Sequence, residues 1–307
     1  MLYYLTDSGL NETSAVFRVG GPDANTYLQG QFTQDLNRPM GAVSYGLFLS
    51  QKGKVVADAH ILRLGSHESW VVSFSLAAAK LRERLEAYLI ADEVEIADET
   101  QGWVRISIWG DEAGEVVAKL LGEPQAGADV WREGRGLRVF RGRRSAGENF
   151  EIMVPRAQCA GIEAELAASG ATVAKTEEAM RERIIGGIPV VPVDLGLNDL
   201  PNEGGLDDAA ISYTKGCYLG QEVMARLKNL GQVRRRLHIV RGKGEVPTTG
   251  ALLFQGETKV GELRSVAADG DGFVAMAMLS LVNLREGGED LSLSAGGPAN
   301  INVTRRV

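Results

Sequence analysis

The chain has 307 residues, 44% hydrophobic and 24% charged, with a net charge of −7. That length exceeds one ordinary core and predicts two or three domains, and the composition excludes a disordered chain. The acidic balance argues against a dedicated nucleic-acid binder, whose affinity would rest on neutralising phosphates, while leaving room for a local basic patch. No run of about 18 apolar residues occurs, so no membrane-spanning helix is expected. Residues 1–7 lack the basic start and apolar run of a signal peptide. With only two cysteines, Cys159 and Cys217, a disulfide framework is not expected and a reducing cytoplasm fits best.

In chain order, residues 15–19 read as a strand stopped by Gly20-Gly21. Pro22-Asp23 opens a helix through Leu28, with proline where a missing N–H costs nothing. Residues 29–35 read as a polar turn. Residues 42–49 and 54–64 pattern as paired strands about a Gln51-Lys52-Gly53 turn. Alternation puts Val56, Asp58 and His60 on one face of the second strand and Val55, Ala57 and Ala59 on the other. The polar face either meets solvent, the commoner outcome, or lines a cavity. Residues 70–74 form a further strand, and Ser75 caps a helix carrying Leu81, Leu85, Tyr88 and Leu89. Strands at 94–97 and 103–109 and a helix at 111–121 follow.

Residues 132–144 hold six arginines around a strand-like Leu137–Phe140. A solvated hairpin is the simpler expectation; the alternative is a groove for an anionic ligand, such as a polyglutamate tail or RNA phosphate. Residues 150–154 form a strand. Pro155 starts a helix with Cys159, Ile162 and Leu166 on its apolar face. Thr176 caps the next helix, with Glu177 and Glu178 in its first turn, and Gly186-Gly187 ends it. Residues 188–206 make a long loop rich in Pro, Gly, Asn and Asp, a length that marks a functional loop or a linker. After the run Arg234-Arg235-Arg236, expected as a solvated linker, short strands with glycine-rich turns predict a small barrel or sandwich. The intermixed strands and helices upstream favour an α+β class over a doubly wound sheet.

The densest chemistry lies at residues 215–226: Lys215-Gly216-Cys217-Tyr218-Leu219-Gly220-Gln221-Glu222, then Ala225-Arg226. A thiol between glycines and beside a lysine could have its thiolate favoured. The residue types alone fit equally a Lys-Gly turn entering a short helix with Cys217 buried. Gly-x-Gly-x-x-Gly and the phosphate-loop motif are absent. His60, His67 and His238 are scattered, and two distant cysteines do not make a metal site, so no metal is expected.

The 215–226 stretch resembles the signature of the YgfZ family, folate-binding proteins similar to the T-protein of the glycine cleavage system. The resemblance extends to Gly21-Pro22-Asp23-Ala24, Leu28-Gln29-Gly30-Gln31 and Asp35, to Lys52-Gly53-Lys54-Val55 with Asp58, to residues 92–98, to Arg183-Ile184 and Gly187-Ile188-Pro189, and to Val260-Gly261 and Ser265. It implies a T-protein-like fold: two mixed α+β domains and a C-terminal β-barrel around a central channel for tetrahydrofolate or a derivative. The expected division is residues 1–231, as two interwoven domains (about 1–50 with 135–231, and about 51–134), then a barrel over 232–307. It further implies a role in maintaining iron–sulfur enzymes and, through them, tRNA modification, with reduced folate and iron–sulfur enzymes or assembly factors as partners and no direct nucleic-acid partner. The mitochondrial iron–sulfur assembly relatives carry the same cysteine-containing signature.

By that resemblance, Cys217 and Asp58 are the expected catalytic residues, and Asp58, Arg183, Lys215, Tyr218, Gln221, Glu222 and Arg226 the expected folate contacts. Lys215, Tyr218, Gln221, Glu222 and Arg226 are equally readable as local bracing, and Arg183 as a structural ion pair. The alternative function is tetrahydrofolate-dependent aminomethyl transfer in glycine cleavage; a third is a folate-binding regulator without chemistry. Two departures from the T-protein favour the first reading: Cys217, which T-proteins lack, and Ile185, which stands where they carry the glutamate that holds the pterin. Ala57-Asp58 stands where they carry paired aspartates.

Overall fold

A computed structural model describes residues 1–6, 14–123, 127, 129–285 and 290–307. The first half runs β1 (Tyr3–Thr6), β2 (Ala15–Gly20), α1 (Ala24–Gln31), β3 (Val43–Leu49), β4 (Val55–Arg63), β5 (Glu68–Ser73), α2 (Ala78–Glu86), β6 (Glu95–Asp98), β7 (Trp103–Trp109) and α3 (Ala113–Leu121). It continues with β8 (Arg132–Gly134), β9 (Leu137–Arg141), β10 (Asn149–Pro155), α4 (Cys159–Ala168), β11 (Thr172–Val173), α5 (Thr176–Gly186), α6 (Asp207–Ala210) and α7 (Gln221–Leu230). The last part is all strand: β12 (Arg235–Lys243), β13 (Leu252–Gln255), β14 (Thr258–Asp269), β15 (Gly272–Ser280), β16 (Asp290–Leu291) and β17 (Ile301–Arg306). No helix among the described residues is long and apolar enough to cross a membrane.

Three sheets result. One has the order β3-β4-β5-β2-β6, the second β11-β1-β7-β10-β9-β8, the third β13-β14-β15-β12-β17-β16. In the third, a bridge between Phe254 and Ser292 draws the two edges together into a nearly closed six-strand barrel.

Strand alternation explains how the first two sheets meet. On β4, Ala57, Ala59 and Ile61 pack with Leu28, Leu81 and Leu85 from α1 and α2. On β7 and β10, Ile106, Ile108, Phe150 and Ile152 pack with Val117 and Leu120 of α3 and Ile162 and Leu166 of α4. The helices thus cover the outer faces. The inner faces meet each other: Val16, Val43, Leu62, Trp70 and Val72 of the first sheet join Phe140 and Met153 of the second in one buried cluster. The face of β4 that carries Asp58 and His60 therefore turns inward, against the simpler expectation of solvent, because a second sheet rather than water lies over it. The barrel packs its Leu237, Ile239, Met276 and Met278 on Ile184 of α5 and on Val191, Leu195 and Leu206 of the long loop.

Three local expectations are corrected. Helix α1 runs on through Gln31, into the stretch read as a turn. Ser75 is not the cap of α2, whose N-cap is Ala77. Thr176 sits inside α5 as its first residue; Lys175 is the N-cap, its N–H donating 2.8 Å to the Glu178 carboxylate.

Candidate functional site

The inward faces of the two sheets part around a polar cavity in two compartments. The inner one, about 50 Å³, is walled by Tyr45, Asp58 and His60 from the first sheet, by Arg105, Arg143, Arg144 and Glu151 from the second, and by Arg183 with residues 188–190 behind α5. The outer one, about 540 Å³, shares Tyr45, His60 and Arg143 and adds Asp35, Arg38, Asp129 and Arg141. The shared residues form the threshold between them.

Asp58 sits deep in the protein yet keeps part of its surface accessible, because it borders the cavity. The Tyr45 hydroxyl donates to its Oδ2 at 3.1 Å. Burial pushes the Asp58 carboxyl up to about 6, against the downward pull of the Tyr45 bond and the Arg143 charge. Burial likewise raises the Tyr45 phenol far above its ordinary range, with the Asp58 charge adding to it. The Arg143 guanidinium lies 4.0 Å from the centroid of the Tyr45 ring. His60 is boxed by Tyr45, Phe74 and Phe140, with ring centroids 5.1, 5.3 and 5.1 Å away. Burial pulls its imidazole down to about 3, and the charges of Arg143 and Arg105 add to that, so it is neutral at physiological pH. Arg105 and Glu151 are both buried, their charged atoms 3.7 Å apart, and Ser107 donates to Glu151 at 2.6 Å. The chemical sum is a carboxylate that can exchange a proton near neutrality, set in a cation-rich polar wall.

The six arginines at 132–144 divide among different tasks. Arg135 makes a two-pronged pair with Glu165, both contacts at 2.7 Å. Arg138 stacks 3.8 Å over the Trp70 ring. Arg141, Arg143 and Arg144 face the cavity. The simple solvated hairpin is therefore corrected for these last three. The missed cavity residues are Tyr45, His60 and Arg105, while Arg143 and Arg144 lie in the arginine stretch for which a groove is the alternative expectation. The signal that could have found them is alternation: His60 shares a face with Asp58, and Arg105 points away from the Ile106–Ile108 face.

The signature stretch folds elsewhere, as the lead into α7. Lys215 is 8% exposed and spends all three N–H bonds on main-chain oxygens, of Gln29 at 2.8 Å, Phe32 at 2.7 Å and Gln34 at 3.0 Å. Burial lowers its ammonium to about 8, partly opposed by Asp35. Leu219 N–H donates to the Gly30 carbonyl at 3.1 Å, and Thr33 Oγ1 donates to Ala210 O at 2.6 Å while accepting from Leu47 N–H at 2.8 Å. Gly220 has φ +86°, and a Cβ there would lie 2.8 Å from Ser50 O; a Cβ on Gly53 would lie 2.8 Å from Val223. The two glycines let α7 seat directly on the tip of the β3–β4 hairpin.

Tyr218 is buried, its hydroxyl has no hydrogen-bond partner among the described residues, and burial pushes its phenol up to about 12. Cys217 is a free, exposed thiol. Glu222 and Arg226 form an exposed pair at 2.6 Å on α7, and Gln221 is half-buried at its first position.

Of the expected site residues, only Asp58 and Arg183 reach the cavity. Arg183 is 5% exposed and hydrogen-bonds Asp194 at 2.6 Å, Ile188 O at 2.7 Å and Ser265 at 2.6 Å, which ties α5, the long loop and the barrel together. Lys215, Cys217, Tyr218, Gln221, Glu222 and Arg226 line neither compartment. Ile185 packs beside the barrel-facing cluster, and its carbonyl accepts from Arg305 at 2.7 Å.

Comparison with known proteins bears on the fold and the family. Residues 6–211 match the GCVT N-terminal domain, and residues 234–306 match the CAF17 C-terminal beta-barrel domain. The tRNA-modifying protein YgfZ of Edwardsiella ictaluri is 30% identical over 231 residues, covering 74% of this chain and 68% of that protein. The human mitochondrial iron-sulfur cluster assembly factor IBA57 is 28% identical over 294 residues, covering 86% of this chain and 74% of that one. The crystal structure of the glycine cleavage system aminomethyltransferase T from Bartonella henselae superposes with a TM-score of 0.83 at 20% identity, over 98% of this chain and 84% of that one. The chain belongs to the GCVT domain family and, by its barrel and its relatives, to the YgfZ proteins within it.

Proposed function

We propose that the cavity between the two sheets binds a reduced folate, and that the protein supports the maintenance of iron–sulfur enzymes in the cytoplasm and, through them, tRNA modification. The observation that carries the folate reading is the position of Asp58. Its carboxylate, with a pKa near 6, lies at the inner end of a cavity whose mouth is set with Arg38, Arg141 and Arg143. A reduced folate has that polarity: a bicyclic ring with N–H donors at one end and carboxylates at the other. Asp58 would accept from the ring nitrogens, and the arginines would hold the glutamate tail through charge-assisted bonds. The outer compartment alone falls within the ~300–1,000 Å³ usual for small-molecule sites. Arg183 would define the inner wall.

The iron–sulfur reading rests on the relatives, named for tRNA modification and for iron–sulfur cluster assembly. In it, Cys217 is the functional thiol and meets a client protein from the surface, while Lys215, Tyr218 and Gln221 hold its loop in place.

Titration calorimetry with tetrahydrofolate tests the first half. Saturable binding is expected, weakened about tenfold or more by Asp58→Asn or Arg143→Gln; absence of binding to the native protein overturns the folate site. For the second half, a Cys217→Ser protein should fail to restore iron–sulfur enzyme activity in cells lacking the native one, and full restoration removes the thiol from the mechanism. Turnover in a reconstituted glycine-cleavage assay would replace this reading with aminomethyl transfer.

A further inference from the structure

A second cavity, of about 640 Å³, opens where the barrel joins the rest of the chain. Its lining carries four cations from three parts of the chain: Lys228 on α7, Arg234 and Arg236 at the start of the barrel, and Arg306 at the end of β17. Lys228, Arg234 and Arg306 form no ion pair among the described residues. Arg236 donates only its Nε, to the Val307 main-chain oxygen at 3.1 Å.

The run 234–236 is divided by strand alternation. Arg235 turns the other way and is consumed by Asp199 and Glu203, both at 2.9 Å, while Arg234 and Arg236 turn to the cavity. Unpaired guanidinium groups converging on a concave polar surface are suited to a phosphate or carboxylate.

Acceptors line the same cavity: Asp207, Asp208 and Asn202. With them lie Tyr213, with Lys228 Nζ 3.8 Å from its ring centroid, and the apolar Leu281 and Val282. The site thus suits a ligand that combines an anionic group, a flat ring and N–H donors. Its volume falls within the ~300–1,000 Å³ of small-molecule sites, and module junctions are where such sites occur.

We propose that this cavity is a second ligand site, for a phosphorylated nucleoside: the phosphate lies against Arg234, Arg236 and Arg306, and an amino group of the base faces Asn202, Asp207 and Asp208. The site is separate from the folate cavity, and the inference stands without that reading.

Calorimetry on the full chain with adenosine 5′-monophosphate tests it. Saturable binding is expected, at least about tenfold weaker for Arg234→Gln/Arg306→Gln, two exposed positions whose change leaves the fold intact. Inosine 5′-monophosphate, which offers Asp207 and Asp208 an oxygen in place of the amino group, should bind more weakly than the adenine nucleotide. Arg143→Gln, in the other cavity, should bind the nucleotide as the native protein does. No saturable binding at millimolar nucleotide overturns the proposal, as does equal affinity in the double variant or loss of binding in Arg143→Gln. Tight binding of a short RNA that the mononucleotide cannot displace also overturns it, in favour of a nucleic-acid surface.

Discussion

The cavity around Asp58 and the loop bearing Cys217 are built on opposite terms. The cavity is assembled from residues scattered over many separate segments of the chain, and its chemistry comes from burial: the same desolvation raises the Asp58 carboxyl and silences the His60 imidazole. The loop is contiguous in sequence, and its buried Lys215 ties it to main-chain oxygens of residues 29–34, leaving Cys217 out in solvent. A contiguous motif here marks a clasp that presents one group outward; the groups with altered acidity lie elsewhere.

The comparison can be broken most severely at Lys215. Lys215→Met strands the buried Phe32 carbonyl and the half-buried carbonyls of Gln29 and Gln34, and a loss of about 2–4 kcal/mol is expected. In urea unfolding the midpoint should fall with the slope unchanged; a loss below about 1 kcal/mol would mean that the clasp is not what holds the loop.

Next is Asp58. Its carboxyl titrates near 6 in the folded protein against 3.8 for the free side chain. The folded state therefore keeps a proton that the unfolded chain has released between those pH values. The stability this proton confers is complete below about pH 4 and is lost as pH rises through 6, by about 3 kcal/mol in all at ~1.36 kcal/mol per pH unit. Asp58→Asn should flatten that part of the melting-temperature profile and be the more stable protein above pH 7, while binding folate worse. An unchanged profile would show that the carboxylate is better solvated than its surroundings indicate.

Gly220→Ala is expected to cost about 1–3 kcal/mol, since the residue would have to hold φ +86° with its Cβ 2.8 Å from Ser50 O. It tests whether α7 needs that close seat on the hairpin. The smallest effect is at the exposed Arg226–Glu222 pair, where Arg226→Ala should change stability by less than about 0.5 kcal/mol. A marked loss of function in that variant with stability intact would instead place Arg226 at a partner surface.

Much of the architecture was legible in the sequence because it depends on local pattern. Alternation along β4 placed Asp58 with His60, and Gln51-Lys52-Gly53 marked the hairpin tip. What lies over an amphipathic face is not local information. The face carrying Asp58 reads as solvated until β7, β9 and β10 are set against it, and the arginines at 141, 143 and 144 look like surface until the same packing is known. Lys215 shows the limit from the other side. Its neighbours suggest a charge tuning a thiol, whereas its partners are carbonyls near residue 30 that no spacing rule connects to it. Caps were legible only to within a residue or two, since Ser75 and Thr176 are each displaced from the position they were expected to fill.

The Lys215 clasp also has a consequence in time. Its partners, from Gln29 to Gln34, precede it by 181 to 186 residues. At about 5–20 residues per second of synthesis, that segment emerges roughly 10–40 s before the ammonium that will bind it is made. During that interval its carbonyls are left to water. The hairpin tip has no α7 to seat on it, and a newborn chain interrupted before residue 215 would carry the first sheet without the piece that fastens it.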